Sequence, residues 1–424
     1  MNRSIPPKIH NFGTLTLPDV NKTVLPNGIA VHFISGGDSD VNRLTVTLPG
    51  GEAESPVAGL SNLATLLLLE GTSKHTGEQI ANILEYNGAW TNTSVSTHHS
   101  SITLFSLNDR LPSIIDLLVE ILTDSIFPED ALNMMIKRRI SKIEIDREKV
   151  TYHSNAAIRK MIYGENHPLA RVETPESIIK ITSKDLSDFH YSRLDTKNVN
   201  IFLSGKLSKE LIESVLTAFS KISSDKNYSI EPLSFPDFAS PQKEIVIRPH
   251  SLQSAINIVM PTIGRDDSDF VPLRATVTAF GGYFGSRLMA NIREDKGFTY
   301  GISASLLGYK RKSFIYISTQ TDCSNVEPLL REVYTEIERL KDPGTYTQDE
   351  INRLSQFQLS NLASVLDSPF SIMDMYQTRI TAGTPSDYFH QQQKLAHNLS
   401  PELLSEMAIS YFDTNIMCTA IAGA

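Results

Sequence analysis

Two pairs of similar segments recur along this chain at almost the same spacing, and this repeat constrains the fold more than any other feature. Residues 127–133 (FPEDALN) resemble residues 346–352 (YTQDEIN), at an offset of 346 − 127 = 219. The Asp-Thr pair at 195–196 and the strand after it resemble the pair at 413–414, at an offset of 413 − 195 = 218. A repeat of this length is too long for a solenoid unit, so we interpret it as an internal duplication that gives two similar domains.

A linker separates the two halves. Residues 223–242 (SSDKNYSIEPLSFPDFASPQ) are rich in Ser, Pro and Asp and lack helical periodicity. We place the boundary near residue 230 and expect domains at residues 1–228 and 229–424. Each half is long enough to bury a core of its own.

Each half combines short strands with amphipathic helices. β-Branched residues and alternating polarity predict strands at residues 29–35, 43–48, 102–107, 244–248, 255–260 and 314–319. Apolar residues at helical spacing predict helices at residues 59–69, 77–87, 110–124, 128–147, 270–280, 326–340 and 347–366. This order predicts an α+β fold of two homologous domains, each a mostly antiparallel sheet covered by helices on one face.

Composition excludes several classes of partner. The net charge is −9, the pI is about 5.7, and charges of both signs are spread along the chain. Nucleic acid and anionic membrane are therefore not expected as partners. Residues 1–13 contain no apolar stretch of signal-peptide length, and the four leucines at 66–69 are too few for a membrane helix. We therefore expect a globular protein of the cytoplasm.

Four sequence motifs follow one another in a recognisable order. They are residues 24–31 (VLPNGIAV), 59–72 (GLSNLATLLLLEGT), 87–93 (NGAWTNT) and 281–300 (GGYFGSRLMANIREDKGFTY). Together they resemble the motifs of the pitrilysin-type metallopeptidases, peptidase family M16, also called inverzincins. The last motif carries the strongest resemblance, which extends from about residue 20 to the C-terminus.

The resemblance implies a zinc helix that has lost its zinc ligands. In the family, this helix binds zinc through two histidines of a His-x-x-Glu-His motif, and its glutamate acts as general base. Alignment on the Gly-Thr pair at 71–72 places Asn62 and Leu66 at the histidine positions and Thr65 at the glutamate position. Asn62 is a poor zinc ligand, Thr65 has no useful basicity, and Leu66 has no donor atom. No metal or cofactor is therefore expected in this chain. An ordinary core helix is the alternative interpretation.

The third zinc ligand of the family corresponds to Glu144, which follows Leu66 by 144 − 66 = 78 residues. One carboxylate without two imidazoles cannot hold zinc firmly. The competing interpretation, which the residues themselves favour, is an exposed helical charge near Lys142 and Arg147.

The resemblance also implies a retained half-site for peptide. In the family, an Arg and a Tyr of the second-domain motif hold substrate across a closed chamber and polarise the scissile carbonyl. The matching residues here are Arg293 and Tyr300, which donate hydrogen bonds of the kind that suit a peptide carbonyl. Asn92, in the turn into an edge strand, is a further expected substrate contact. The alternatives are a surface ion pair for Arg293 and a core-edge position for Tyr300.

These features favour the non-catalytic subunit of a heterodimeric M16-type zinc metallopeptidase. The expected partners are a homologous zinc-bearing subunit and a peptide substrate, and the zinc belongs to that partner subunit only. This chain would close the peptide chamber. Two other functions stay open, namely a stand-alone zinc protease with unrecognised ligands and a peptidase-derived structural scaffold. The Arg–Tyr pair argues against a scaffold, which has no use for it.

Overall fold

The computed structural model describes residues 13–423, and the expectation about a leader in residues 1–12 lies outside this range. The strands are β1 Asn21–Val24, β2 Ala30–Ser35, β3 Val41–Pro49, β4 Trp90–Val95, β5 His99–Leu107, β6 Asn200–Gly205, β7 Gln242–Ile247, β8 Gln253–Ile263, β9 Ile302–Gly308, β10 Lys312–Asp322 and β11 Cys418–Gly423. They form a six-stranded sheet of order β1-β2-β6-β3-β5-β4 and a five-stranded sheet of order β7-β11-β8-β10-β9.

Helices fill most of the remaining chain. They are α1 Leu60–Leu67, α2 Gly77–Tyr86, α3 Leu111–Asp124, α4 Glu129–Arg147, α5 Val150–Tyr163, α6 Pro175–Ile178, α7 Ser183–Arg193, α8 Lys209–Ser220, α9 Phe270–Gly281, α10 Val326–Leu340, α11 Gln348–Val365, α12 Pro369–Ala382, α13 Tyr388–His397 and α14 Pro401–Tyr411. Each predicted strand and helix is present, with ends shifted by a few residues. Within residues 13–423, no helix combines the length and the apolar character needed to cross a bilayer.

The two sheets have the same topology. The order β2-β6-β3-β5-β4 in the first matches β7-β11-β8-β10-β9 in the second. In each set of five strands, the first pair (β2-β6 or β7-β11) is parallel and the other pairs are antiparallel. The first sheet has one additional strand, β1, which is antiparallel to β2. Strands β6 and β11 begin at an offset of 418 − 200 = 218, and helices α4 and α11 at 348 − 129 = 219. The duplicated α+β fold is therefore confirmed. Residues 221–241 contain no helix or strand, and a boundary at 228/229 stays a prediction.

Each sheet is covered on its second face by a helix from the other half of the chain. Strand β8 is covered on both faces, because Ile258 and Val259 point to opposite faces of the sheet and both are buried. On one face Ile258 belongs to the core under α9, α10 and α14. On the other face Val259 clusters with Ile158 and Ile162 of α5. The first sheet is covered in the same way by α12, so the structure adds an exchanged helix to the predicted one-face cover.

Polar contacts fix each exchanged helix in place. The Asn257 side-chain amide on β8 donates to Ser154 Oγ at 2.6 Å and to Asn155 Oδ1 at 2.8 Å, both on α5. On the first sheet, the Arg43 guanidinium lies 2.6 Å from the Asp374 carboxylate of α12. Because a buried amide is costly when it lacks partners, these contacts favour a single position of α5 on the second sheet.

We expect Ile158→Ala to destabilise the whole chain. Ile158 is 1% exposed between the halves, and removal of such a side chain typically costs about 2–5 kcal/mol in free energy of unfolding. Chemical denaturation monitored by circular dichroism measures this loss. The control is Ile145→Ala, because Ile145 is 63% exposed on α4 and should change stability by less than about 0.5 kcal/mol. Equal stability of the two variants would contradict the exchanged packing.

Candidate functional site

Helix α1 carries the three positions that align with the zinc motif, and their side chains diverge. Asn62 is half-buried and lines a cavity of about 200 Å³. Thr65 is 3% exposed, and its hydroxyl donates to the Ser61 carbonyl at 2.8 Å within the same helix. Leu66 is 36% exposed and is not part of the cavity wall. The three side chains therefore do not converge on one point.

Charged side chains surround the cavity beside Asn62. They are Arg139, Lys142, Arg159, Arg171, Glu52, Asp146 and Glu173. Arg139 pairs with Glu173 through two guanidinium nitrogens. The Arg159 guanidinium lies 3.6 Å from Glu52, and Lys142 Nζ lies 2.8 Å from Asp146. Each carboxylate of the wall thus faces a cation. The position of these arginines around Asn62 was not predicted from the sequence, because they come from three separate segments that only the fold brings together.

This arrangement does not fit a zinc ion. A dication would face four cationic side chains and three carboxylates that are already paired. The hydrogen bond to Glu173 raises the pKa of the Arg139 guanidinium. Hydrogen bonds from Lys142 and Lys149 lower the pKa of Asp146 to about 2. Across residues 13–423, no three His, Cys, Asp or Glu side chains form a group that could hold a metal.

Glu144 lies on the exposed side of α4, away from the wall of the Asn62 cavity. Its neighbours Ile143 and Asp146 line the cavity instead, because successive helical residues are rotated by about 100°. The assignment of Glu144 to the third ligand position stays a prediction.

The 281–300 motif contains a short helix that is bonded to α11 in the second half. Residues Met289–Asp295 form a π-helix, a widened turn that is frequent at functional sites. The Arg287 guanidinium holds it to α11 through Glu350, at 2.6 and 3.2 Å, and lies 3.8 Å from the Tyr346 ring centroid. Gly297 follows the π-helix with a φ of 65°, a conformation typical of a glycine that terminates a helix. The π form was not predicted.

The motif presents Arg293 and Tyr300 at the surface. Arg293 is half-buried, and its guanidinium carbon lies 4.8 Å from the centroid of the Phe284 ring. Tyr300 is 94% exposed. Its loop is held by Thr299, whose hydroxyl donates to the Gln320 carbonyl at 2.6 Å. A core-edge position for Tyr300 does not match this exposure.

The loop of Tyr300 borders a second cavity, of about 320 Å³, between α5 and the second sheet. The described residues of its wall are all uncharged, and they include Ser154, Asn155, Ser318 and Gln320. This cavity shares no lining residue with the cavity beside Asn62, although α5 contributes to both.

Asn92 is exposed on β4, which forms the outer edge of the first sheet. Trp90, at the start of β4, stacks on Phe105 with ring centroids 3.9 Å apart. The outer edge of such a strand can pair with an extended peptide.

Comparison with known proteins identifies the family. Residues 41–167 match the model described as insulinase (peptidase family M16), and residues 180–356 match the peptidase M16 inactive domain. An uncharacterized zinc protease of Streptomyces coelicolor is 22% identical over 85% of this chain and 79% of its own length. The non-peptidase homolog YmxG of Helicobacter pylori is 24% identical over 80% of this chain and 75% of its own length.

A solved structure supports the same assignment of fold. The crystal structure of a peptidase M16 inactive domain from Pseudomonas fluorescens has a TM-score of 0.85 and 22% sequence identity, and the match covers 96% of this chain and 98% of that one. The fold defines a two-domain peptidase-like protein, and its residues 13–423 group no three His, Cys, Asp or Glu side chains that could hold a metal. The chain belongs to peptidase family M16 and resembles its inactive members.

We expect the purified chain to bind no zinc at one-to-one stoichiometry. The reason is that Asn62 and Leu66 stand at the positions where the resemblance places two histidines, and arginines line the cavity beside Asn62. The protein would be equilibrated with excess zinc, dialysed and analysed by plasma mass spectrometry. One tightly held zinc per chain, released by a chelator together with peptidase activity, would contradict the site as described.

Proposed function

We propose that the chain is the non-catalytic subunit of a heterodimeric M16-type zinc metallopeptidase. A homologous subunit with an intact His-x-x-Glu-His helix would bind the zinc and supply the general base. This chain would close the peptide chamber and direct Arg293 and Tyr300 at the substrate. An extended peptide would be the substrate class.

The observation that carries the proposal is the exposure of Tyr300 in a chain that has no His-x-x-Glu-His motif of its own. Tyr300 is 94% exposed on a loop anchored by Thr299. A large aromatic side chain in this setting adds little to the stability of its own chain, and its position suits contact with another molecule. A guanidinium and a phenol can each donate a hydrogen bond to a peptide carbonyl or to an oxyanion.

The edge of the first sheet would bind the peptide backbone. Strand β4 has β5 on one side and is the last strand of its sheet. A peptide added along β4 would pass the exposed side chain of Asn92. The Asn62 and Tyr300 cavities share no lining residue, and in this proposal the partner chain would enclose both.

Two other functions make different predictions. A stand-alone zinc protease would need ligands that residues 13–423 do not group together. A structural scaffold would have the same fold but would not depend on Arg293 or Tyr300. Mutations of these two residues therefore separate the scaffold from the peptidase subunit.

We expect Arg293→Ala to reduce the activity of the reconstituted heterodimer by roughly 10- to 150-fold, as for loss of a charge-assisted hydrogen bond shielded from water. Tyr300→Phe should reduce turnover by about 10- to 1000-fold if the hydroxyl acts on the oxyanion. The measurement is hydrolysis of a quenched fluorescent peptide by the chain together with a zinc-bearing homologue.

Controls on exposed residues outside the motif separate site effects from general damage. Tyr334→Phe suits this purpose, since Tyr334 is 43% exposed on α10, and should leave activity unchanged. Thermal melting of every variant should match the parent within a few degrees. Unchanged activity in Arg293→Ala and Tyr300→Phe would support the scaffold instead. If no zinc-bearing homologue restores hydrolysis, the heterodimer proposal is wrong.

A further inference from the structure

The second half contains a large cavity at the place equivalent to the one beside Asn62. The first cavity is lined from α1, α4 and α5, and the second from their counterparts α9, α11 and α12. The second cavity has a volume of about 690 Å³. Pockets that bind small molecules typically measure about 300–1,000 Å³, so this cavity has the size of a ligand site.

The cavity carries positive charge that is not balanced within the described chain. Arg265, Arg274 and Arg379 line it, together with one carboxylate, Asp374. Asp374 is already paired with Arg43, 2.6 Å away. Within residues 13–423, none of the three lining arginines lies within 4.0 Å of a carboxylate oxygen. In the cavity beside Asn62, by contrast, every carboxylate of the wall faces an arginine or a lysine.

Two of these arginines lie at one end of the cavity, around Tyr388. The Arg274 guanidinium donates to the Tyr388 hydroxyl at 2.9 Å. Arg265 is half-buried nearby, and burial lowers the pKa of its guanidinium despite the opposing influence of Tyr388. An arginine stays charged at any ordinary pH, so partial burial without a counter-charge is unfavourable.

Beyond this end, the wall combines apolar side chains with uncharged polar ones. The apolar side chains include Phe357, Leu362 and Leu395. An inorganic anion would leave these side chains without a partner. An apolar chain attached to an anionic head would satisfy both parts of the cavity.

The start of the chain cannot supply the missing negative charge. Leu17 lines the cavity, so the residues before position 13 are the nearest candidates along the sequence. Residues 1–12 (MNRSIPPKIHNF) contain Arg3 and Lys8 but no Asp or Glu. A counter-charge for these arginines would therefore come from another molecule.

We propose that this cavity binds a small amphipathic anion, with a carboxylate or phosphate head between Arg265 and Arg274 and an apolar chain along Leu362 and Leu395. The site lies in the second half and is independent of the proposed peptidase role. Binding by the isolated full-length chain therefore tests it, whether or not a partner subunit restores peptidase activity.

Isothermal titration calorimetry of the full chain tests the site with four probes that each contain a chain of twelve carbon atoms. The charged probes are kept below their micelle concentrations, and dodecan-1-ol is kept below its solubility limit. Dodecanoate and dodecyl phosphate should bind saturably at one per chain, and the tighter of the two identifies the head group. Dodecan-1-ol and dodecyltrimethylammonium should bind at least about tenfold more weakly, since they lack the charge that the arginines attract.

Arginine variants locate the site. Arg274→Gln should weaken anion binding by about tenfold, and the double variant with Arg265→Gln should weaken it by about a hundredfold. Arg274 is exposed at the cavity mouth, so its replacement should not disturb folding. The control is Arg110→Gln, because Arg110 is exposed on the first half and pairs with Asp109 at 3.6 Å. The Arg110→Gln variant should bind dodecanoate with the same affinity as the parent chain.

Three results would overturn the proposal. The first is equal binding of dodecan-1-ol and dodecanoate, which would make the cavity an apolar pocket without charge recognition. The second is unchanged affinity in Arg274→Gln, whose fold can be verified by thermal melting. The third is displacement of dodecanoate by a tetraglutamate peptide at lower concentration, which would assign the cavity to an acidic protein segment.

Discussion

The exchange of α5 and α12 between the two sheets is the interaction on which the rest of the structure depends. Each helix buries its apolar side against strands of the other half. Helix α5 also separates the cavity beside Asn62 from the cavity beside Tyr300 and contributes to the wall of both. The hydrogen bonds of Asn257 to this helix therefore fix the shape of two cavities as well as the contact between the halves.

The two halves contain cavities at equivalent positions, and these cavities differ in how their charged side chains are paired. In the first half, arginine and lysine side chains occupy the space around Asn62 and pair with the local carboxylates. A zinc ion beside Asn62 would therefore face unfavourable charge as well as a lack of histidine ligands, because four cationic side chains line this cavity. In the second half the arginines lack such pairing, which leaves charge available to a ligand.

Features that depend on short sequence patterns could be predicted from the sequence. The duplication was visible in one repeated spacing, and the motif at 281–300 located Arg293 and Tyr300. Helix α5 was not predicted, since its apolar face is short and its partner strand is distant. Val259 follows Ile158 by 259 − 158 = 101 residues. The arginines around Asn62 were missed for the same reason, and the exposure of Tyr300 depends on how its loop packs.

The proposed function requires Tyr300 to face a peptide held by a second, zinc-bearing chain. Hydroxyl-radical footprinting measures this directly, because Tyr300 is 94% exposed in the single chain. When a zinc-bearing homologue and an uncleavable peptide are added together, the oxidation rate of Tyr300 should fall severalfold, while that of Tyr334 on α10 should not change. If Tyr300 is oxidised at the same rate in a mixture where the two chains demonstrably associate, the account is contradicted.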